Sequence, residues 1–132
     1  MECVFCKVCA QELTAKIIYQ DKILSCFLPR TMEVYGHLLI VPNKHYENIF
    51  DIPEEELTQI IKFAKRISLH LKERLGATGI NILHASGKSA QQSVSHFHIH
   101  IFPRFDNDGL DAWPKLEKKD YDSDELLAKI KF

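Results

Sequence analysis

No run of the sequence approaches the roughly 18 apolar residues that a membrane span needs. The opening stretch, MECVFCKVCA, has no lysine-led apolar core of signal-peptide length. Both absences point to a cytoplasmic protein with no membrane partner. An excess of one charge is missing too: 17 Lys and Arg stand against 18 Asp and Glu, for a net charge of −1. No basic field is available for nucleic acid, so any phosphate site has to be local. With five glycines and five prolines in the whole chain, no linker, repeat or low-complexity tract divides it. One domain over residues 1–132 is expected, long enough to bury a core without cross-links.

Cysteine is present but poorly placed for disulfides. Cys3, Cys6 and Cys9 crowd the first nine residues, and adjacent turns rarely cross-link among themselves. Cys26 sits in the apolar run ILSCFL and reads as a small buried hydrophobe. A reducing compartment and a Cys-x-x-Cys metal half-site fit this usage better than a disulfide framework.

Along the chain, KIIYQDKILSCFL reads as two strands around a Gln20-Asp21 turn, and GHLLIVP as a third that Pro42 ends. DIPEEE then opens a long helix, with Asp51 as N-cap, Pro53 in the first turn and Glu54 three residues past the cap. Leu57, Ile60, Ile61, Ala64, Ile67, Leu71 and Leu75 follow helical spacing, and Gly76 stops the helix. TGINILHA and a histidine-bearing run add two strands. A short final helix over about 123–131 is expected to pack Leu126, Leu127 and Ile130. The order β-β-β-α-β-β predicts an α+β domain on an antiparallel sheet, since one helix is the only long crossover.

The histidine run is SHFHIHIF, residues 95–102. His96, His98 and His100 alternate with Phe97, Ile99 and Ile101, so a half-buried strand would put all three imidazoles on one face. Their Cα atoms would then lie about 6.5–7 Å apart, close enough to serve one small site. Three chemistries compete for such a face: a metal site, nucleophilic catalysis by one imidazole, or a mixture of both.

The run and its flanks, QQSVSHFHIHIFPR, resemble the signature of the histidine triad (HIT) proteins, in which three histidines alternate with apolar residues. The resemblance extends upstream through GHLLIVPNKH, FDIPEEE and GINILHASGKSAQQS, over most of residues 3–104, leaving a C-terminal tail from about 105 to 132. The N-terminal CVFC resembles the zinc-carrying, Hint-like branch. What the resemblance implies is a HIT-like five-stranded antiparallel sheet with one long helix and short terminal helices. It also implies a homodimer paired through the long helix and the TGINIL strand, and nucleotides or nucleotide conjugates as ligands.

By the same resemblance, His98 attacks an α-phosphorus and forms a nucleotidyl-imidazole, with its other ring nitrogen tied to the backbone carbonyl of His96. His100 and His37 contact phosphate oxygens, while Ser93, with Gln92 beside it, lies at the bridging oxygen or leaving group. Cys3, Cys6, His45 and His96 hold Zn2+, with Cys9 as an alternative thiol. Four such donors with no open position make a structural rather than a catalytic site. The implied function is a nucleotidyl hydrolase or transferase for phosphoramidates or dinucleoside polyphosphates; the alternative is a slow-turnover nucleotide-binding regulatory or adaptor protein.

Two positions depart from the family's pattern. Pro29 stands where many Hint-like members carry an acid that binds ribose hydroxyls, and Ala85 where they carry an asparagine. Glu33, four residues past Pro29, would reach a ribose only if its loop folds back, so weak discrimination between ribose and deoxyribose is expected. His70 reads as half-exposed packing, His84 as a loop residue near the site with no role assigned, and Trp113 as a core residue.

Overall fold

The structure, a computed structural model, describes residues 2–132. After a short helix α1 (Val4–Cys9), strands β1 (Lys16–Gln20) and β2 (Leu24–Leu28) form a hairpin. Asp21 makes its turn by accepting, through Oδ1, the amides of Ile23 at 2.7 Å and Leu24 at 2.9 Å. There follow β3 (Leu38–Pro42), the long helix α2 (Glu54–Leu75), β4 (Gly79–Leu83), a 3-10 turn (Lys88–Ala90), β5 (Ile99–Arg104) and α3 (Ser123–Ile130). The five strands form one antiparallel sheet in the order β1-β2-β3-β5-β4. This is the α+β, five-stranded arrangement with one long helix and short terminal ones that the sequence led us to expect.

Period-two alternation explains how the sheet divides its contacts. Leu24, Cys26, Leu38 and Ile40 face one side, where Phe97, Ile99 and Ile101 join them under Ile60, Phe63, Ala64, Ile67 and Leu71 of α2. Phe27, Leu39 and Val41 face the other side and pack on Phe5 and Val8 of α1. Cys26 is a core residue, as its apolar context implied, and burial pushes its thiol up to about 12.

Several local expectations are corrected. Asp51 does not cap α2: its carboxylate accepts the amides of Glu47 and Asn48, closing the preceding turn, and Pro53 stands at the N-cap without a side-chain bond. The acids of the first turn, Glu54 to Glu56, still place negative charge at the positive helix end. Gly76 ends the helix in the left-handed region, φ 74°, as expected. On the apolar stripe Ile61 is half exposed and Phe63 is buried in its stead, while His70 lies exposed.

The tail departs most. Leu126, Leu127 and Ile130 of α3 are 50, 57 and 64% exposed and pack on no core, and Trp113 is 81% exposed rather than buried. The helix forms on local signals alone. Asp122 Oδ1 accepts the Asp124 and Glu125 amides, and Lys129 pairs with Glu125 one turn away.

Candidate active site and metal centre

The histidines converge because β3 and β5 lie side by side inside the sheet and their alternation sends His37, His98 and His100 to one face. His100 lies within β5, opposite Leu39 of β3. His96 and His98 precede β5 instead of lying inside it, yet the alternation persists, since Phe97 is anchored in the core at 1% exposure. Its amide donates to the Tyr46 carbonyl at 2.6 Å. Phe97 therefore sends its two neighbours to the opposite face, where the Phe5 ring meets His96 and His98 edge-on at 5.8 and 5.3 Å between centroids. His37 enters just ahead of β3, and Gly36 is what lets it. At φ 80°, a Cβ on Gly36 would come within 2.9 Å of Pro103 Cγ, so only glycine fits this turn.

Backbone partners determine how each imidazole carries its proton, because an amide can only donate and a carbonyl only accept. The Glu33 amide donates to His37 Nδ1 at 3.1 Å, which puts the His37 proton on Nε2. That Nε2–H then donates to His100 Nδ1 at 2.9 Å, leaving His100 with a free Nε2–H donor. His98 Nδ1–H donates to the His96 carbonyl at 2.8 Å, which leaves a lone pair on His98 Nε2. Burial holds His37 and His98 below the ordinary imidazole range. Burial, and then the neighbouring His98 and His37, push His100 down to about 4. At neutral pH these are uncharged rings with assigned donor and acceptor ends.

His37, His98, His100 and Ser93 border one cavity of about 560 Å³, which continues over Phe5, Val8, Phe27 and Leu39 towards Pro29 and Glu33. The loop does fold back, contrary to expectation: Glu33 is the single carboxylate among the lining residues, with Lys16 and Arg30 as the cations. Gln92 is not on the wall. Its Oε1 accepts the Gly87 amide, and its Nε2 donates to the carbonyls of Glu47 and Val94, so the side chain staples the loop that presents Ser93. The Glu33 amide and His84 were not assigned from the sequence. His84 Nδ1–H donates to the His98 carbonyl at 2.8 Å.

On the other side of His98, Cys3, Cys6, His45 and His96 offer four donor atoms that all lie within 4.8 Å of one another. Here too the backbone sets the tautomer. His96 Nε2–H donates to the Pro42 carbonyl at 2.9 Å, so Nδ1 turns its lone pair to the Cys3 and Cys6 sulfurs at 3.3 and 3.5 Å. His45 Nδ1 lies 3.4 Å from Cys6 Sγ. Burial, then the adjacent Cys3 thiol, push Cys6 up to about 11, so paired thiolates here call for a cation. The donor set fits a metal ion. Cys9 is outside the group, its sulfur 3.9 Å from the Pro42 carbonyl.

A model of the HIT domain matches residues 10–107. The chain belongs to the HIT family. It is 40% identical over 129 residues to an uncharacterised HIT-like protein of Methanocaldococcus jannaschii, covering 98% of both chains. It is 34% identical to an adenosine 5'-monophosphoramidase of Saccharomyces cerevisiae, covering 97% of this chain and 82% of that one. Among solved structures, a zinc-bound histidine triad protein from Mycobacterium smegmatis superposes with a TM-score of 0.81. The match is at 32% identity and covers 95% of this chain and 87% of that one. Against the HIT pattern, His96, His98 and His100 are the triad, here shared between two neighbouring sites: His96 turns to the thiols, and His98 and His100 turn to the cavity.

Proposed function

We propose that the protein is a nucleotidyl hydrolase or transferase acting at an α-phosphorus, with nucleoside phosphoramidates or dinucleoside polyphosphates as substrates and a nucleotidyl-His98 intermediate. One observation carries this reading. The His98 ring is held by its Nδ1–H on the His96 carbonyl, so a neutral, lone-pair-bearing Nε2 borders a cavity large enough for a nucleotide. In the proposed first step Nε2 forms a bond to phosphorus while the bond to the leaving group breaks. We assign Ser93, on the cavity wall, to bond the departing atom. In the second step water attacks phosphorus, the N–P bond breaks, and His98 is regenerated.

His100 presents Nε2–H to a phosphate oxygen as negative charge develops there. His37 acts through His100: both its ring nitrogens are occupied, and its Nε2–H keeps the His100 proton on the side of the cavity. We assign Cys3, Cys6, His45 and His96 to a structural Zn2+, consistent with the zinc-bound relative. When bound, it supplies a closed four-donor cross-link between α1, the loop after β3 and the triad.

The exposed edge of β4, with Ile82 half exposed on it, is our candidate for a homodimer contact. No helix among the described residues is long and apolar enough to cross a membrane; a cytoplasmic location is part of the proposal and rests on the free-thiol usage.

The test is turnover of a nucleoside phosphoramidate by the intact protein and by His98→Ala. The variant should lose activity entirely, and near-normal rates would refute the covalent route. A covalent adduct that forms readily and clears slowly would favour the regulatory reading.

A further inference from the structure

One imidazole outside the cavity is connected to the nucleophile. The last pair between β4 and β5 is Leu83 with His100, so the ladder stops two residues short of His98. His84, the next residue after β4, takes over with its side chain, and its Nδ1–H reaches the His98 carbonyl at 2.8 Å. Its Nε2 accepts the Ser86 hydroxyl, whose oxygen accepts the Ile49 amide at 2.9 Å. In the neutral ring the direction follows from the far end: the His98 carbonyl can only accept, which puts the His84 proton on Nδ1 and leaves Nε2 to accept from the Ser86 hydroxyl. The His84 ring also lies over Phe97, 4.5 Å between centroids at 31°, and Phe97 is buried.

We infer that His84 is a positioning residue for His98. It fixes the peptide plane from which the nucleophile's ring projects, while the His96 carbonyl fixes the ring itself. The inference rests on His98 being the nucleophile. His84 is absent from the cavity wall, so its loss should leave nucleotide binding alone and act on attack. Small displacements of a reacting group are costly, about a hundredfold for 1 Å, so even a partial shift is measurable.

Two substitutions separate the hydrogen bond from the packing, and the exposed position of His84 favours folding of both. His84→Asn keeps an N–H donor near the place of Nδ1 but little of the ring over Phe97. His84→Leu keeps apolar cover over Phe97 but has no donor. His84→Leu should lower kcat at least about tenfold with KM within about twofold, and slow nucleotidyl adduct formation in parallel, whereas His84→Asn should keep at least about half of kcat. The reverse order, equal loss in both variants, or wild-type rates in both would each overturn the inference. His98→Ala measured alongside keeps the two claims apart: activity there would refute the nucleophile, not the role of His84.

Discussion

An ion held by Cys3, Cys6, His45 and His96, as proposed, would on removal cost the fold a calculable amount. Four donors within 4.8 Å of one another join α1, His45 and His96, segments far apart in sequence, so a bound ion stabilises only the folded chain. At free zinc 100-fold above its Kd, that stabilisation is about 2.7 kcal/mol. Unfolding entropy of about 2.1 cal/mol/K per residue gives roughly 0.28 kcal/mol/K for 132 residues, so stripping the ion should lower Tm by about 10 °C. The assay is differential scanning calorimetry with and without a chelator, beside metal analysis of the same sample. Cys6→Ser should melt low and respond little to chelator, because its site is already broken. Cys9→Ser should respond as the parent does, its sulfur lying outside the group. An unchanged Tm after chelation, or a full chelator response in Cys6→Ser, would refute this assignment.

Losing a phosphate contact should cost about 2–4 kcal/mol of barrier, so His100→Ala should slow kcat roughly 30- to 1000-fold, with His37→Ala at the lower end because it acts through His100. Near-normal kcat in His100→Ala would remove it from the site. Stability should fall on acidification between pH 6.5 and about 4, where the unfolded chain binds a proton that folded His100 does not. Tm against pH in the Cys6→Ser background should carry this slope together with the same-signed contributions of buried His37 and His98, and His100→Gln should make it shallower without removing it. The sugar prediction follows Glu33, the one carboxylate on the cavity wall. A ribonucleoside phosphoramidate should be preferred over its deoxy analogue by about tenfold in kcat/KM, and Glu33→Ala should abolish the difference. Equal rates for both sugars in the parent would return the site to the weak discrimination that Pro29 implies.

What was legible in the chain was what repeats or punctuates it. The β-branched and aromatic residues on each side of the Gln20-Asp21 turn and the apolar run that Pro42 ends announced β2 and β3, and the i, i+3, i+4 spacing up to Gly76 announced α2. The alternation of His96, His98 and His100 fixed their common face even where the strand itself begins only at Ile99. Other features depend on contacts that carry no period. The pattern of α3 is amphipathic and well capped, which makes a helix but says nothing of what covers it. The segment from Pro29 to Gly36 has no periodicity, so the approach of Glu33 to the cavity appears only in three dimensions. His84 was overlooked because its partner is a backbone carbonyl, and carbonyls have no letter in a sequence; the signal available was its place directly after the strand that pairs with His100. Gln92 was placed at the substrate by its neighbours in the motif, whereas its amide turned out to be occupied by three backbone groups.

The most direct test of the central claim is intact-protein mass spectrometry after rapid acid-free quenching of a reaction with a nucleoside phosphoramidate. A transient species heavier by one nucleotidyl group, mapped by proteolysis to His98 and absent from His98→Ala, is the predicted result. Turnover with no such species at any time, in a protein whose His98→Ala variant remains active, would contradict it.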